Sequence, residues 1–378
     1  MATLSDGDHR NPVPRNLPRV LHVTQPTSAG VAVAVLDLAA AQAAAGWQVT
    51  VASPPDPTFV DRVRAVGAHH VEWVAGREPG PSLLREVRAL RRTVRRVAPD
   101  LVHLHSSKAG LAGRLRRGLG SRVVFEPHAW SFEPVTGARR RIVTAWERLA
   151  ARRTDLLLCV SEAERSAGIA AGVRGPFEVV ANGVDLERCR FVDADERATV
   201  RRDLGVADGP LVVCVGRLCE QKGQDLLVDA WPAVRARVPD ARLALVGDGP
   251  WRDRLGAAPG VELLGHRDDA LRWLQAADLV AMPSRWEGLP FVLLEAMASG
   301  RGVVASDIPP IREVLDGVGV LVPIGDAPAL AHAIVERLLD PTATAQDANR
   351  ARDRVVAAYD LRVQVAAVLE RCEALARG

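Results

Sequence analysis

The chain has 378 residues, of which 48% are hydrophobic and 25% charged, so it is long enough for two domains with a full core each. No stretch approaches the ~20 consecutive apolar residues that a membrane-spanning helix needs, and the first 18 residues lack the apolar segment of a signal peptide. The five cysteines are scattered and form no Cys-x-x-Cys pair. This argues against a disulfide framework or a zinc site and favours a reduced, cytoplasmic protein.

The net charge of +3 hides an asymmetry between the two halves. Residues 1–182 hold 25 Lys and Arg against 16 Asp and Glu, a balance of +9, whereas residues 183–378 hold 24 against 30, a balance of −6. A basic half predicts an anionic partner. A membrane surface or a phosphate-bearing acceptor fits better than nucleic acid, because the basic runs lack interleaved aromatic residues and nucleic-acid-binding motifs.

Lysine use marks two positions independently of any motif. Of the 49 basic residues, only Lys108 and Lys222 are lysine, and the rest are arginine. A lysine that persists against such a bias is expected where a compact, mobile ammonium group is needed.

The first half alternates short apolar strands with helices, which predicts a parallel sheet covered on both faces. Residues 1–18 are predicted to be a disordered tail, and residues 19–182 to form the first domain. Predicted strands lie at 19–24, 47–52, 70–74, 101–104, 122–126, 156–160 and 178–180, and predicted helices at 31–45, 82–97, 108–119, 138–153 and from 161. Before the first helix, Ser28-Ala29-Gly30 suits a phosphate bound by free N–H groups, although a tight turn needs the same small residues.

A second candidate stretch in this half is residues 103–110, which read His-Leu-His-Ser-Ser-Lys-Ala-Gly and open a helix at a strand end. Doubly wound sheets bind ligands at the carboxyl ends of their strands. Ser107 and Lys108 are therefore candidate ligands of an acceptor or donor phosphate, although a lysine at a helix start can also be solvated. The histidines interpreted as structural or solvent-facing are His69, His70 and His103.

The second half begins with a charged, turn-rich stretch, 183–209, which is predicted to be a linker, and continues with a second domain over 210–355. Predicted strands lie at 211–215, 242–246, 261–264, 278–282, 303–306 and 318–322, and predicted helices at 224–238, 290–300, 311–315, 327–339 and, as two further helices, within 344–378. The loop 216–223 carries Arg217 and Lys222 just before a helix. Two cations beside free N–H groups predict a diphosphate site, with a pair of surface cations as the alternative.

Residues 284–300, SRWEGLPFVLLEAMASG, are the most distinctive stretch. Pro290 suits the first position of a helix and Gly300 suits its end. Glu287 then lies on the loop at a strand end, and Glu295 lies inside the helix, about 7.5 Å further along its axis. The two carboxylates are expected to address two parts of one elongated ligand, although Glu295 alone could be a solvated helix residue.

These motifs resemble those of the retaining nucleotide-sugar glycosyltransferases of family 4, and the resemblance covers nearly the whole chain after residue 18. It rests on the Glu-x7-Glu pair of Glu287 and Glu295, the loop with Arg217 and Lys222, and the His-Ser-Ser-Lys-Ala-Gly stretch. The resemblance implies the GT-B fold, an α/β class with two doubly wound Rossmann-like domains facing across a cleft. It also implies that a C-terminal helix, 356–378, crosses back to the first domain.

The resemblance further implies roles for individual residues. Glu287 would contact the donor hexose and Glu295 the ribose, while Arg217 and Lys222 would neutralise the leaving diphosphate in place of a metal. His128 would reach the donor sugar beside the scissile bond, with a structural loop histidine as the alternative. The other expected donor contacts are Gly30, Gly247, Gly249, Arg267, Gly288, Leu289 and Pro290. The first loop departs from the family's common Gly-Gly, because Ala29 precedes Gly30.

The resemblance thus implies a retaining, metal-independent hexosyltransferase that uses a nucleotide diphosphate sugar, with UDP favoured over GDP. The expected acceptor is a sugar, lipid-linked or small-molecule hydroxyl in polysaccharide or glycolipid assembly, and peripheral contact with the inner membrane face is expected. No cofactor is expected, since no Asp-x-Asp stretch or metal-ligand cluster is visible. The alternatives are a natural-product glycosyltransferase and, in other classes, a nucleotide-sugar epimerase or a non-catalytic carbohydrate-binding protein.

Overall fold

The computed structural model describes residues 17–115, 120–256 and 258–377, so all but the last two residues of the predicted tail lie outside it. The first domain contains β1 (Arg19–Thr24), α1 (Ala29–Ala44), β2 (Gln48–Ser53), α2 (Pro57–Ala65), β3 (His69–Glu72), α3 (Leu83–Val97), β4 (Leu101–His105), α4 (Ser106–Arg114), β5 (Arg122–Glu126), α5 (Gly137–Ala151), β6 (Leu156–Cys159), α6 (Glu162–Ala170) and β7 (Phe177–Val179). The elements that follow are α7 (Ala194–Leu204), β8 (Leu211–Val215), α8 (Gln224–Arg237), β9 (Arg242–Val246), α9 (Arg252–Leu255), β10 (Val261–Gly265), α10 (Ala270–Ala276), β11 (Leu279–Met282), α11 (Phe291–Ala298), β12 (Gly302–Ser306), α12 (Pro309–Leu315), β13 (Val320–Val322), α13 (Ala327–Leu339), α14 (Pro341–Ala358) and α15 (Leu361–Arg377).

The two sheets are parallel throughout and share one winding pattern. The first runs β3-β2-β1-β4-β5-β6-β7 and the second β10-β9-β8-β11-β12-β13. Helices cover both faces of each sheet, which explains why the central strands are continuous apolar runs. The predicted fold class, α/β with two doubly wound Rossmann-like domains, is confirmed. In each sheet the strand order reverses at one place, between β1 and β4 and between β8 and β11, and ligands bind at such switch points.

The stretch predicted to be a linker, 183–209, contains a helix, α7. Its capping is clear, because the Asp193 side chain accepts a hydrogen bond from the Glu196 N–H. Arg197 and Arg201 of α7 bind Asp278 at the start of β11, so the helix is anchored to the second domain. No α7 residue is fully buried, which is why apolar periodicity did not reveal the helix.

Three further details differ from the predicted elements. The helices α2 and α10 were not predicted, and Pro290 is the residue before α11 instead of its first helical residue. With ψ at 126°, Pro290 is extended, so α11 begins at Phe291. Part of the predicted helix 108–119 lies outside the described residues, and α4 spans Ser106–Arg114.

The two domains touch through their last helix and through one cross-domain cap. Val368 and Cys372 of α15 are buried in the core of the first domain. The Glu313 carboxylate of α12 accepts hydrogen bonds from the N–H groups of Glu162 and Ala163, at 3.1 and 3.0 Å, at the start of α6. Among the described helices, none combines the length and the apolarity that crossing a membrane requires.

Candidate functional site

The second domain brings a cation and a carboxylate together at the switch point of its sheet. Lys222 lies on the loop after β8 and Glu287 on the loop after β11, and the Lys222 ammonium donates to Glu287 Oε1. Ser284 Oγ donates to the same oxygen at 2.8 Å, and Gln221 Nε2 to the other at 3.3 Å. The side chains are 20% and 7% exposed for Lys222 and Glu287, so the pair is shielded but still reachable from the cleft.

Local backbone geometry fixes the distance between these two loops. Gly223 has φ +67°, and a Cβ there would lie 2.1 Å from the Pro283 carbonyl oxygen, so only glycine fits. Arg285 then binds the Asp225 carboxylate with two hydrogen bonds of 3.0 and 2.8 Å. The start of α8 is therefore held against the end of β11, which places Lys222 on Glu287.

Arg217 lies on the same loop as Lys222, and its guanidinium makes no hydrogen bond or ion pair with any described residue. On the other side of the cleft, the first-domain loop between β3 and α3 carries Arg77. Burial, followed by the charge of Arg217, lowers the pKa of Arg77. Two neighbouring guanidinium groups without a carboxylate partner attract an anion. Arg77 was not among the predicted site residues, since one arginine among the many of the first half carries no sequence signal.

Three residues predicted to contact the donor, Gly247, Gly249 and Arg267, form a surface beside this loop, which we call the floor. Gly249 approaches the Arg217 loop so closely that a Cβ would lie 2.3 Å from the Leu218 carbonyl oxygen, and a Cβ at Gly247 would lie 2.1 Å from the Gly216 carbonyl oxygen. Both glycines therefore shape the loop, and their contact with a donor remains a prediction. Arg267 is exposed and pairs with Asp269 at 2.7 Å.

Glu295 lies on α11, half-buried and facing the first domain. Burial raises the pKa of its carboxyl, and Arg188 partly opposes this effect. Its carboxylate also contributes to the raised pKa of Asp37 on α1, which is about 6, mainly because of burial. Glu295 is therefore at the domain boundary, and not on the outer face of its helix.

The first domain closes the cleft with a strained turn formed by His128 and Ala129. Both have positive φ, +52° and +92°, which non-glycine residues rarely adopt. The Glu164 carboxylate holds the turn by accepting from the Ala129 N–H at 2.6 Å and the Val160 N–H at 2.8 Å. Gly288 packs against the turn, since a Cβ there would lie 3.1 Å from Ala129 N and from His128 C. The structure thus places His128 next to the Glu287 motif.

The other predicted motif residues also lie at this boundary. Leu289 and Pro290 are buried, and the Leu289 carbonyl accepts a hydrogen bond of 2.7 Å from Asn182 Nδ2. A Cβ at Gly30, in the first turn of α1, would lie 2.9 Å from the ring of Phe291 at the start of α11. The two helix N-termini therefore meet across the cleft.

Behind His128 lies a buried cluster that sequence reasoning missed, which we call the histidine network: His22, His103, His105, Glu126 and His128. His22 Nδ1 is 2.9 Å from His105 Nε2, and His105 Nδ1 is 3.3 Å from His128 Nε2. Glu126 lies 3.0 Å from His103, 3.4 Å from His105 and 3.5 Å from His128. Burial is the main cause of the lowered pKa of His22, which is about 3, and of the lowered pKa values of His105 and His128. Nearby histidines hold the pKa of Glu126 well below its usual range despite its burial.

The histidine network changes one sequence-based conclusion, that the chain has no metal-ligand cluster. Ligand atoms of His22, His103 and His105 lie within 4.8 Å of one another, as do those of His105, Glu126 and His128. The residue types suit a metal ion. A sequence signal existed, because His103 and His105 alternate on one strand and so share one face of the sheet.

Lys108 is a structural residue in this fold and not an open phosphate ligand. Its ammonium is 2.8 Å from Glu86 Oε2 and donates to the Glu78 carbonyl at 3.0 Å, and its side chain is 3% exposed. A buried lysine needs such a carboxylate partner, which corrects the predicted phosphate role. Ser107 is half-buried in the first turn of α4. Of the histidines taken as structural, His70 is 3.0 Å from Ser53 Oγ, and His69 is exposed.

One further carboxyl group at the cleft was not predicted. Glu133 is half-buried, and its Oε2 has no hydrogen-bond partner among the described residues. Burial, with the nearby carboxylates of Glu164 and Glu287, raises its pKa to about 8. A carboxyl group that stays protonated at neutral pH can donate a hydrogen bond.

Two family models match the chain, one for each domain. The model described as Glycosyltransferase Family 4 matches residues 28–188, and the model described as Glycosyl transferases group 1 matches residues 209–340. Among similar proteins, the GDP-mannose-dependent alpha-(1-6)-phosphatidylinositol monomannoside mannosyltransferase of Mycolicibacterium smegmatis is 34% identical, over 76% of this chain and 72% of its own length. The UDP-Gal:alpha-D-GlcNAc-diphosphoundecaprenol alpha-1,3-galactosyltransferase of Escherichia coli is 28% identical, over 74% of this chain and 77% of its own.

A solved structure shows the same architecture. The crystal structure of Anabaena HepE in complex with UDP and glucose is similar with a TM-score of 0.81 and 25% identity, covering 94% of this chain and all of the other. Together with this likeness, the two doubly wound domains identify the GT-B fold of glycosyltransferases. The chain belongs to glycosyltransferase family 4, and the predicted family and enzyme class, a hexosyltransferase, are confirmed. It transfers a sugar from a nucleotide sugar to an acceptor, which sets the epimerase and non-catalytic alternatives aside.

Proposed function

We propose that this chain is a retaining, metal-independent hexosyltransferase whose donor diphosphate lies between Lys222, Arg217 and the start of α8. The observation that carries the proposal is the ion pair of Lys222 with Glu287, beside an Arg217 that pairs with no described residue. One carboxylate and two cations at a switch point match a ligand with a diphosphate at one end and hydroxyl groups at the other.

Departure of the leaving group concentrates negative charge on the diphosphate. Lys222, Arg217 and the free N–H groups at the start of α8 belong to one loop–helix unit, so in the proposed complex they would stabilise this charge together. When the diphosphate accepts hydrogen bonds from the Lys222 ammonium, Glu287 becomes free to accept hydrogen bonds from sugar hydroxyls. Glu287 then positions the donor sugar, and the leaving phosphate itself takes the acceptor proton.

The proposal extends to the base and the sugar of the donor. A UDP-sugar is the donor favoured by the sequence, and the similarity to HepE, crystallised with UDP and glucose, supports it. GDP-mannose is the second candidate, since the Mycolicibacterium smegmatis relative is named as GDP-mannose-dependent. The floor around Gly247 and Arg267 would contact the base and distinguish uracil from guanine, away from the diphosphate.

The acceptor is proposed to be an anionic, lipid-linked molecule at a membrane surface. The outer side of α3 exposes Arg85, Arg88, Arg92, Arg95 and Arg96, and the nearby start of α5 exposes Arg139, Arg140 and Arg141. Leu84 and Ile142 on the same two helices are 64% and 71% exposed, which adds apolar contacts to the basic surface. Clustered arginines with exposed apolar side chains favour an anionic membrane face.

The transfer reaction tests the central proposal. Purified protein is incubated with radiolabelled UDP-glucose, UDP-galactose or GDP-mannose, with and without EDTA, and with either an anionic glycolipid or a neutral soluble glycoside as acceptor. We expect transfer with one donor, in EDTA, to the anionic glycolipid, with the anomeric configuration retained by NMR. Activity that disappears in EDTA and returns with a divalent cation would contradict the metal-independent site, and transfer only to the soluble glycoside would support the natural-product alternative.

Flotation with lipid vesicles tests the membrane surface separately. The protein should float with vesicles that contain phosphatidylglycerol and not with pure phosphatidylcholine. Replacing Arg88, Arg92 and Arg95 by glutamine should abolish flotation while leaving the Kd for the donor nucleotide, measured by calorimetry, unchanged. Equal flotation of the triple variant would contradict the assignment of this surface.

A further inference from the structure

We propose that the histidine network fixes the proton of His128 on Nε2, so that His128 uses Nδ1 to accept a hydrogen bond from a substrate hydroxyl, with Glu126 and His105 as positioning residues. The proposal deepens the proposed function, because it assigns the direction of one hydrogen bond in the same cleft. It rests on the distances and burial within the network.

The Nε2 side of His128 faces a second imidazole nitrogen and a carboxylate oxygen. Its Nε2 is 3.3 Å from His105 Nδ1 and 3.5 Å from Glu126 Oε1. The side chain of His128 is 6% exposed and those of Glu126 and His105 are 3% and 0% exposed, so water does not compete for these contacts. The Nδ1 atom, in contrast, makes no hydrogen bond with any described residue. The ring therefore has one satisfied side and one side left for a ligand.

Three arrangements of protons fit the distances in the network, and two of them place the proton of His128 on Nε2. In the first, His22 donates through Nε2 to Gln42 Oε1 at 2.6 Å, His105 donates to His22, and His128 Nε2–H donates to His105. In the second, the Gln42 amide is rotated and donates to His22, the chain reverses, and His105 donates to Glu126 instead. His128 Nε2–H then donates to Glu126. In these two arrangements a neutral His128 carries its proton on Nε2. In the third, His105 donates to His128 Nε2, which leaves a bare nitrogen 3.5 Å from Glu126 Oε1, and this contact between two buried acceptors is unfavourable.

Glu126 keeps the network in this state. A carboxylate in an otherwise apolar interior needs N–H donors, and the nitrogens around it belong to His103, His105 and His128. Strand register creates the arrangement, since His22 lies opposite His103 and His105 lies opposite Glu126 in neighbouring strands. The strained turn at His128 and Ala129, held by Glu164, completes the placement of the ring.

A bound metal ion would explain the cluster differently. The distances at His22 favour hydrogen bonds, whereas the separations of 3.3–3.5 Å among His105, Glu126 and His128 also fit ligands of one metal ion, so the metal content of the purified protein decides between the two there. Two nitrogens bound to one Zn²⁺ at about 2.0–2.1 Å in a tetrahedral site lie about 3.3 Å apart. His22 Nδ1 and His105 Nε2 are 2.9 Å apart, and the other nitrogen of His22 is 2.6 Å from Gln42. These are ordinary hydrogen-bond lengths.

Selective ¹⁵N-histidine NMR of the full-length protein tests the proposal without requiring turnover. The His128 signal, assigned by its loss in His128→Gln, should report a neutral ring with protonated Nε2 and bare Nδ1. In Glu126→Gln, whose amide can also donate, the two tautomers should become mixed. A His128 ring protonated on Nδ1 in the parent protein would overturn the proposal, as would one equivalent of metal in the purified protein.

Kinetics of two His128 variants test the function of the free nitrogen. In His128→Asn the side-chain amide can place an acceptor where Nδ1 was, whereas the longer amide side chain of His128→Gln reaches only the Nε2 position. We therefore expect His128→Asn to keep at least about tenfold more kcat than His128→Gln. Equal losses in both variants, or the reverse order, would contradict the proposal.

Glu126→Gln should lower kcat about 10- to 100-fold while the donor KM changes less than about threefold, because the network acts through His128. The matched control is Glu72→Gln, the same substitution at an exposed position of β3 in the same sheet, which should leave kcat unchanged. Unchanged kcat in Glu126→Gln would overturn the positioning role. If the parent protein transfers no sugar at all, the proposed function fails, while the NMR result still decides the tautomer.

Discussion

The two walls of the cleft use opposite kinds of polar chemistry. The second domain presents full charges that are partly exposed, with Lys222 on Glu287 and Arg217 beside them. The first domain presents rings and one carboxylate that are buried, in the histidine network. Charges close to solvent can exchange partners when a ligand arrives, whereas a buried hydrogen-bonded network keeps one geometry.

The difference indicates a division of labour between the domains. The second domain supplies the electrostatic stabilisation that bond breaking at a diphosphate requires, and the first domain supplies orientation at the sugar. The two walls meet where Gly288 of the second domain packs against the turn of His128 and Ala129 in the first domain. Variants of the two walls are therefore expected to fail in different ways.

The largest effect is expected at the charged wall. Glu287→Gln keeps the shape but removes the charge that holds Lys222 and the sugar hydroxyls. We expect kcat to fall about 10²- to 10³-fold, with the folded state retained by circular dichroism. The control is Glu262→Gln, an exposed carboxylate of β10 that pairs with Arg242 at 3.5 Å. A kcat of Glu287→Gln equal to that of the parent protein would show that Glu287 is not a site residue.

Lys108→Met should act on stability and not on the donor. The change leaves the Glu86 carboxylate buried without its ion pair, which destabilises the fold by about 3 kcal/mol in urea titrations. The donor KM of the folded enzyme should stay within about twofold. Partial recovery of stability in the double variant Lys108→Met, Glu86→Gln would support the ion-pair role, whereas a large rise in donor KM at unchanged stability would restore the phosphate role.

Glu133 should make the folded state less stable as the pH rises. Its folded pKa of about 8 lies above the ordinary 4.5, so its contribution is complete below about pH 4.5 and is lost as pH rises through about 8. Glu133→Gln, which cannot ionise, should therefore raise the Tm by about 2–4 °C at pH 9 and leave it unchanged near pH 4.5. A constant Tm difference between the two pH values would show that Glu133 ionises normally.

The smallest effect is expected at the cross-domain cap. Glu313→Ala removes the carboxylate that accepts from the N–H groups of Glu162 and Ala163, and such caps contribute about 0.5–1 kcal/mol. The donor KM should rise about two- to fivefold with kcat nearly unchanged, and small-angle scattering should show a slightly larger radius of gyration. An identical scattering profile with identical KM would mean that the cap does not stabilise the closed form.

How well the site could be predicted differed between the walls for a physical reason. Glu287 and Lys222 belong to contiguous motifs on strand–loop–helix units, so local sequence was enough to predict that the two side chains lie close together. The histidine network is assembled from three strands and one loop through their register, which no single stretch of sequence contains. Only the alternation of His103 and His105 indicated it.

The two lysines show a second limit of sequence reasoning. The rarity of lysine predicted a compact, mobile ammonium group at both positions; both ammonium groups pair with a carboxylate, and the fold decides which one. Lys222 meets a carboxylate at the cleft, while Lys108 meets one in the interior. The fold class followed from alternating strands and helices, whereas α7 was missed because a helix without buried residues leaves no apolar stripe.

The charged wall can be tested most directly by calorimetric titration of UDP and of GDP, in EDTA, into the parent protein and into Lys222→Met. If the diphosphate lies on Lys222 without a metal, one of the nucleotides binds the parent in EDTA, and its Kd rises at least about tenfold in the variant. Equal Kd values for the two proteins, or binding that requires a divalent cation, would contradict the site described here.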